Sequence, residues 1–191
     1  SLKELDISKN PLLCELAAFD NQLTSLDVSN NPLLKRLDVW DNPSLKNMDV
    51  SNIKGLQYYN VAKTAMTKID VTHNPELLEL VASYNDGIKS IDLSGNPKLQ
   101  YLNVECDTNL QSLDLSHNPR LYHLYAFGLT SLDTIDISKN SRLCKAYNEG
   151  RYERDEDRIG LVYFKNLTYG GSEDPFDDLN HIIGVDDKAK V

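Results

Sequence analysis

The sequence predicts a solenoid, a right-handed coil of stacked repeats of 21–22 residues with parallel β-strands on two faces. The first observation is a recurring stretch, typified by Leu26-Asp27-Val28-Ser29, whose Asp returns at intervals of 21, 22, 21, 22, 22 and 22 residues. A fixed period in this range is typical of repeat proteins whose coils stack on their neighbours. We call these residues the Asp column: Asp6, Asp27, Asp49, Asp70, Asp92, Asp114 and Asp136.

The second observation is an alternation of apolar residues in both halves of each repeat. Leu16 and Ala18 occupy alternate positions in the first half of the second repeat, and Leu26 and Val28 do so in its second half. A period of two residues is typical of a strand with one buried face. We therefore expect both halves to be short strands that form two parallel sheets around a core of leucines.

The third observation concerns the corners between the halves. One column of corner residues is Asn10, Asn31, Asn74, Asn96, Asn118 and Asn140, and Pro follows all but the last. A second column is Asn21, Asn42 and Asn85, with Thr64 and Asp107 as substitutes. Because an Asn side chain carries both a donor and an acceptor, stacked amides can satisfy backbone groups left unpaired at a corner. Residues 51–55 lack the column Asn and the Pro, so we expect an irregular, more mobile corner there.

These repeats resemble a known family. Residues 13–23 fit the pattern L-x-x-L-x-L-x-x-N-x-L, with Ala18 in place of the third Leu. Residues 2 to about 148 resemble the leucine-rich-repeat family, whose pattern this is. The short period and the Leu-Asp-Val-Ser-x-Asn-Pro half look most like secreted or wall-attached bacterial proteins of the internalin kind. The resemblance implies an extracellular or cell-surface location, and a variable strand face that engages a protein or glycan.

The repeat also predicts how the chain divides. Residues 1–148 form the solenoid, which we expect to be truncated at its N-terminus because Ser1 falls inside a repeat. The pattern fails at Ala146 and Asn148, where large apolar residues belong. We interpret residues 149–191 as a C-terminal capping segment, with strands at 161–165 and 181–185 that close the open end of the solenoid.

Composition excludes several classes of function. The net charge of −9 disfavours a nucleic-acid partner and docking on an anionic membrane, and no apolar run approaches the ~18–20 residues of a membrane span. Cys14, Cys106 and Cys144 lie too far apart in the repeat to pair, so we expect free thiols. No residue pattern indicates a zinc site, a catalytic triad or a phosphate loop. We therefore expect a monomer without cofactor, metal or enzymatic activity.

The sequence contains two acidic features, the Asp column and a loop at 173–178, and each allows a cation-binding and a structural interpretation. The Asp column could bind cations as a carboxylate ladder, or each Asp could accept hydrogen bonds from nearby Ser or Thr groups. Near-identity in seven coils favours the structural interpretation, since a specific site needs differences between coils. The acidic loop at 173–178 could hold calcium, but it lacks the Gly and the alternating ligands of an EF-hand. We expect it to be a solvated loop.

The candidate ligand site lies on the outward positions of the first-half strands, which differ in every coil and are rich in aromatic residues. Aromatic residues are enriched at contact surfaces. The larger predicted patch is Tyr101, His123, Tyr125, Phe127 and Tyr147. The smaller is Arg36, Asp38 and Trp40, with Tyr58 in the next coil. Two alternatives remain: the rings only stack on one another, or the module is a structural spacer without a ligand.

Overall fold

The computed structural model describes residues 1–132 and 134–143, and the backbone of 161–165. Its strands form one seven-stranded parallel sheet in chain order. The strands are β1 (Glu15–Ala17), β2 (Arg36–Asp38), β3 (Tyr58–Asn60), β4 (Glu79–Val81), β5 (Tyr101–Asn103), β6 (His123–Phe127) and β7 (Leu161–Lys165). The fold is therefore a leucine-rich-repeat solenoid with a parallel sheet, as the sequence predicts.

The sheet keeps one register from coil to coil. Leu37 pairs with Leu16 on one side and with Tyr59 on the other, and the same step continues through Leu102 and Leu124. The second residues of β2 to β6 are all buried, which confirms that they face the core; they are Leu37, Tyr59, Leu80, Leu102 and Leu124. Since equivalent residues stack directly, each column of the sequence becomes a row across the sheet.

The second half of each repeat supplies the other side of the core but not a second sheet. Val28 and Leu93 are buried as expected. Among the described residues, however, the second halves form only isolated bridges, such as Asp70 with Asp92. The prediction of strands on two faces is wrong here. The Asp side chain is the reason: Asp27 Oδ1 accepts the Ser29 N–H at 2.9 Å, so this N–H is withdrawn from a ladder.

The first Asn column satisfies the corners through its side-chain donors, as predicted, but not through its acceptors. The amide oxygens of five members are buried without a hydrogen-bond partner among the described residues: Asn31, Asn74, Asn96, Asn118 and Asn140. Asn96 Nδ2 donates to the carbonyl oxygens of Val71 at 2.9 Å and Asn74 at 3.0 Å, both in the preceding coil. Asn118 repeats the arrangement one coil further on. Each amide therefore ties two coils together in a place where no strand can do so.

The corner at residues 51–55 keeps this geometry, so the expectation of an irregular turn is wrong. Ile53 takes the Asn position, and its N–H donates to Val50 O at 3.0 Å, as that of Asn31 does to Val28 O. Asn52 supplies the missing amide, because its Nδ2 donates to Ser29 O at 2.9 Å. A neighbouring side chain thus replaces the column residue without a change in the turn.

A column of left-handed residues follows the strands. Its φ values are positive at Asp20, Asp41, Lys63, Tyr84, Cys106 and Gly128. A residue other than Gly loses roughly 1–2 kcal/mol in this conformation. The backbone ladder offsets that loss, since Asp41 N–H donates to Ala62 O at 2.9 Å and Lys63 N–H to Ser83 O at 2.9 Å. The kink also brings Lys63 and Tyr84 to the edge of the sheet.

The last strand, β7, continues the sheet beyond β6. Leu161–Lys165 pairs with β6 in parallel over five residues, with Val162 and Phe164 in register with the buried Leu124 and Ala126. The strand at 161–165 is confirmed; that at 181–185, the acidic loop and most of 149–191 lie outside the described residues, and the capping role stays a prediction.

Candidate functional site

Strands β1 to β6 place the variable residues side by side. We define the strand face as the first and third strand positions. Its first row is Glu15, Arg36, Tyr58, Glu79, Tyr101 and His123, and its second is Ala17, Asp38, Asn60, Val81, Asn103 and Tyr125. Residues that lie 21–22 positions apart in the chain are thus neighbours across strands spaced ~4.8 Å apart.

The smaller predicted patch is an interlocked cluster. The Arg36 guanidinium carbon lies 3.6 Å from the centroid of the Tyr58 ring, a cation–π contact. Asp38 is 8% exposed. Its burial raises the pKa of the Asp38 carboxyl, and the Trp40 N–H, the charge of Arg36 and the Tyr58 hydroxyl offset part of that rise. Arg36, Asp38 and Tyr58 therefore hold one another in place.

The larger predicted patch centres on Tyr101. Its ring centroid lies 5.3 Å from that of Tyr125, and 5.8 Å from the His123 ring, which it meets edge-on. Burial, followed by the neighbouring Tyr125, raises the pKa of Tyr101 to about 12, so its hydroxyl stays neutral. Phe127 is 39% exposed at the end of β6. Tyr147 lies outside the described residues.

A third feature lies at the edge of the sheet, and sequence reasoning predicted only Trp40 of its members. We call it the aromatic ridge: Phe19, Trp40, Lys63 and Tyr84. The Phe19 and Trp40 rings stack with centroids 5.6 Å apart and planes at 17°. Lys63 Nζ lies 5.9 Å from the Trp40 centroid and 5.6 Å from the Tyr84 centroid. The ridge thus spans four successive coils, and Tyr84 Oη extends it to a fifth by donating to Glu105 Oε1 at 3.3 Å.

The two predicted patches belong to one surface. Glu79 lies between Tyr58 and Tyr101 in the register of the sheet, and the charge of Glu79 contributes to the raised pKa of both tyrosines. The ridge runs along the same strands. The strand face and the ridge therefore form a continuous surface from β1 to β6.

The Asp column serves the backbone. In each of its seven members, Oδ1 accepts the N–H of the Ser or Thr two residues on, at 2.8–3.3 Å. Hydrogen bonds from this Ser lower the pKa of Asp114, for example. At Asp70 the Lys68 ammonium adds to them and lowers the pKa to about 2. These contacts support the structural interpretation, and within the described residues no group of three His, Cys, Asp or Glu could hold a metal.

The described thiols are unbridged. Cys14 is exposed and Cys106 is half-buried, and both are free. Cys144 lies outside the described residues. No helix in the described part of the chain has both the length and the apolarity that a membrane span requires.

Two leucine-rich-repeat family models match the chain, one over residues 22–56 and one over 106–119. No curated protein matches it in sequence. A solved structure described as the functional domain of InlJ from Listeria monocytogenes, which includes a cysteine ladder, is 29% identical with a TM-score of 0.70. The alignment covers 73% of this chain and 30% of that one, so the chain spans under a third of the length of that domain.

Two further structures share the fold. The internalin InlF, from Listeria monocytogenes strain 4b F2365, is 19% identical with a TM-score of 0.56, over 71% of this chain and 41% of its own. The leucine-rich-repeat domain of APL1B is 20% identical with a TM-score of 0.56, over 68% of this chain and 38% of its own. The chain therefore has the leucine-rich-repeat fold, and it is similar to internalin-like proteins of bacteria. Such repeats generally serve as non-enzymatic modules that bind proteins.

Proposed function

We propose that this chain is a non-enzymatic binding module of an extracellular or cell-surface bacterial protein. It acts as a monomer and recognises a protein or glycan through the strand face and the aromatic ridge. The observation that supports this role most is the concentration of rings on one surface: Trp40, Tyr58, Tyr84, Tyr101 and Tyr125 come from five different coils. The second halves repeat Asp and Ser almost without change.

The rigidity of this surface supports binding as well. Tyr101 contacts both His123 and Tyr125, and Arg36 lies over Tyr58. Side chains that are already fixed before binding lose little conformational entropy when a partner docks. The solenoid also holds the rows at constant spacing, which a loop would not do.

The second candidate function is a spacer that projects another domain from the surface and has no ligand. The stacking of Phe19 on Trp40 favours this spacer function, because the two rings already cover each other. The two functions differ in what substitutions do. A spacer tolerates Trp40→Ala and Tyr125→Ala without loss of any function of the parent protein.

An array of host proteins and glycans, probed with this chain, supplies the ligand for the first test. We expect Tyr125→Ala to weaken the affinity for that ligand at least tenfold, because truncating an interface aromatic typically costs ~2 kcal/mol or more. Isothermal titration calorimetry measures the affinity, and thermal unfolding checks that the variant is folded.

The controls lie in the second halves, away from the strand face. Asp114→Ala, Ser116→Ala and His117→Ala should leave the affinity unchanged. If they abolish binding while Tyr125→Ala and Trp40→Ala do not, the binding surface is assigned to the wrong side of the solenoid.

A further inference from the structure

The cations of the strand face and the ridge are already engaged with rings. Arg36 lies over Tyr58 at 3.6 Å. Lys63 reaches both Trp40 and Tyr84 at about 6 Å, within the range of a cation–π contact. The positive charge of this surface is therefore held against its own aromatic residues.

The carboxylates on and beside this surface have no cation as partner, although Glu105 accepts a hydrogen bond from Tyr84 Oη. Glu15, Asp20 and Glu79 are exposed, and Asp41 and Glu105 are half-buried. Among the described residues the ion pairs are Lys68 with Asp70 and Lys98 with Glu76, neither of which involves these five acids. They also differ from the Asp column, whose carboxylates accept backbone N–H groups. The surface thus presents rings together with uncompensated negative charge.

The Trp40 ring, at the centre of the ridge, is already engaged by its neighbours. Phe19 stacks nearly parallel on Trp40 from the preceding coil, and Lys63 approaches the Trp40 ring from the following coil. The Trp40 side chain therefore contacts a neighbour from each adjacent coil, and the residue is half-buried. Aromatic recognition of a sugar requires an open ring face, whereas protein side chains can pack against ring edges and pair with the carboxylates beside them.

We propose that the partner is a protein whose docking surface is rich in Arg and Lys, and that Glu79 at the centre of the strand face is one of its contacts. This inference rests on the proposed function and narrows the ligand class to a basic protein surface. Complementary charge chiefly raises the association rate, so binding weakens as salt rises.

The test uses a phage-displayed library of random peptides panned against the whole chain. We expect the selected peptides to carry net positive charge and to associate more slowly with increasing salt. Glu79→Gln should lower their affinity about threefold to tenfold, and Glu79→Lys should lower it further. Glu4→Gln is the matched control: it removes the same charge from an exposed residue in a second half, and it should leave the affinity unchanged.

The other outcomes overturn the inference. Selected peptides that are neutral or acidic, or that bind Glu79→Lys as tightly as the wild type, show that charge does not define the partner. A second outcome is that the library yields no peptide, while a parallel array yields glycans whose binding depends on Tyr125. That result refutes a protein partner but leaves the proposed binding function intact. If neither the library nor the array returns any binder, both the inference and the proposed function fail.

Discussion

Replacing Leu37 with Asp is expected to abolish cooperative unfolding or soluble expression. Leu37 is fully buried and pairs in register with Leu16 and Tyr59. The substitution puts a carboxylate without a partner into an apolar core, and an uncompensated buried charge costs roughly 3–5 kcal/mol. Natural domains are stable by only about 5–15 kcal/mol. The substituted side chain would also lie between two coils that each need the other to bury their apolar residues.

Thermal and denaturant unfolding followed by circular dichroism measure this effect. Lys35→Asp is the control, because Lys35 is exposed two residues earlier and should change the melting temperature little. A Leu37→Asp melting temperature within a few degrees of the wild type would contradict the register of the sheet.

The second large effect concerns Asp107, which occupies an Asn position in the second corner column. In the equivalent place, Asn85 Nδ2 donates to Val61 O at 2.9 Å and to Ala82 O at 2.6 Å. Asp107 is fully buried. Its Oδ1 accepts the Asn85 N–H at 2.7 Å, and its Oδ2 has no partner among the described residues. A carboxylate cannot donate the hydrogen bonds that an amide donates.

Burial, with a smaller contribution from the charge of Asp86, raises the pKa of Asp107 to about 8 from its ordinary value of 3.8. Since the folded pKa lies above the unfolded one, the neutral acid is favoured in the fold. No penalty exists below pH 3.8; it grows as pH rises toward about 8 and is complete above that. Each pKa unit of difference corresponds to ~1.4 kcal/mol, so the expected effect is large.

Asp107→Asn should therefore stabilise the protein, and its advantage should increase as pH rises from about 4 to about 8. The lowered pKa values of the Asp column act in the opposite direction: their contribution is present above pH 3.8 and is lost as pH falls through the folded values. The free energy of unfolding, measured across this range for both proteins, checks the prediction. Parallel pH profiles for wild type and variant would show that Asp107 is not the cause.

Much of the fold could be predicted from periodicity, because core positions require apolar residues and those positions recur once in every repeat. Leu37 and Leu102 are buried for the same reason that they recur at a fixed interval. The side-chain amide of Asn96 likewise bonds where the corner requires a donor. Periodicity could not show whether the second halves form a sheet. An extended segment with one buried face has the same alternation of apolar residues whether or not its N–H groups bond to a neighbouring strand.

The aromatic ridge could not be predicted from residue type. The column with positive φ contains Asp41, Lys63, Tyr84 and Cys106, and only its last member, Gly128, is a Gly. The repeat period places these residues at the same corner of each coil. Their positive φ, however, is set by the backbone hydrogen bonds between coils, which the residue types do not indicate. The contact of Lys63 with Trp40 and Tyr84 follows from that kink.

Trp40 fluorescence tests most directly whether the strand face and the aromatic ridge form the binding surface. Trp40 is the only tryptophan in the chain, so selectively excited emission reports on the ridge alone. We expect saturating ligand to shift this emission and to reduce its quenching by acrylamide, with half-saturation at the calorimetric Kd. Saturating ligand that leaves acrylamide quenching of Trp40 unchanged, while protecting His73 and His117 from chemical modification, would contradict this assignment of the surface.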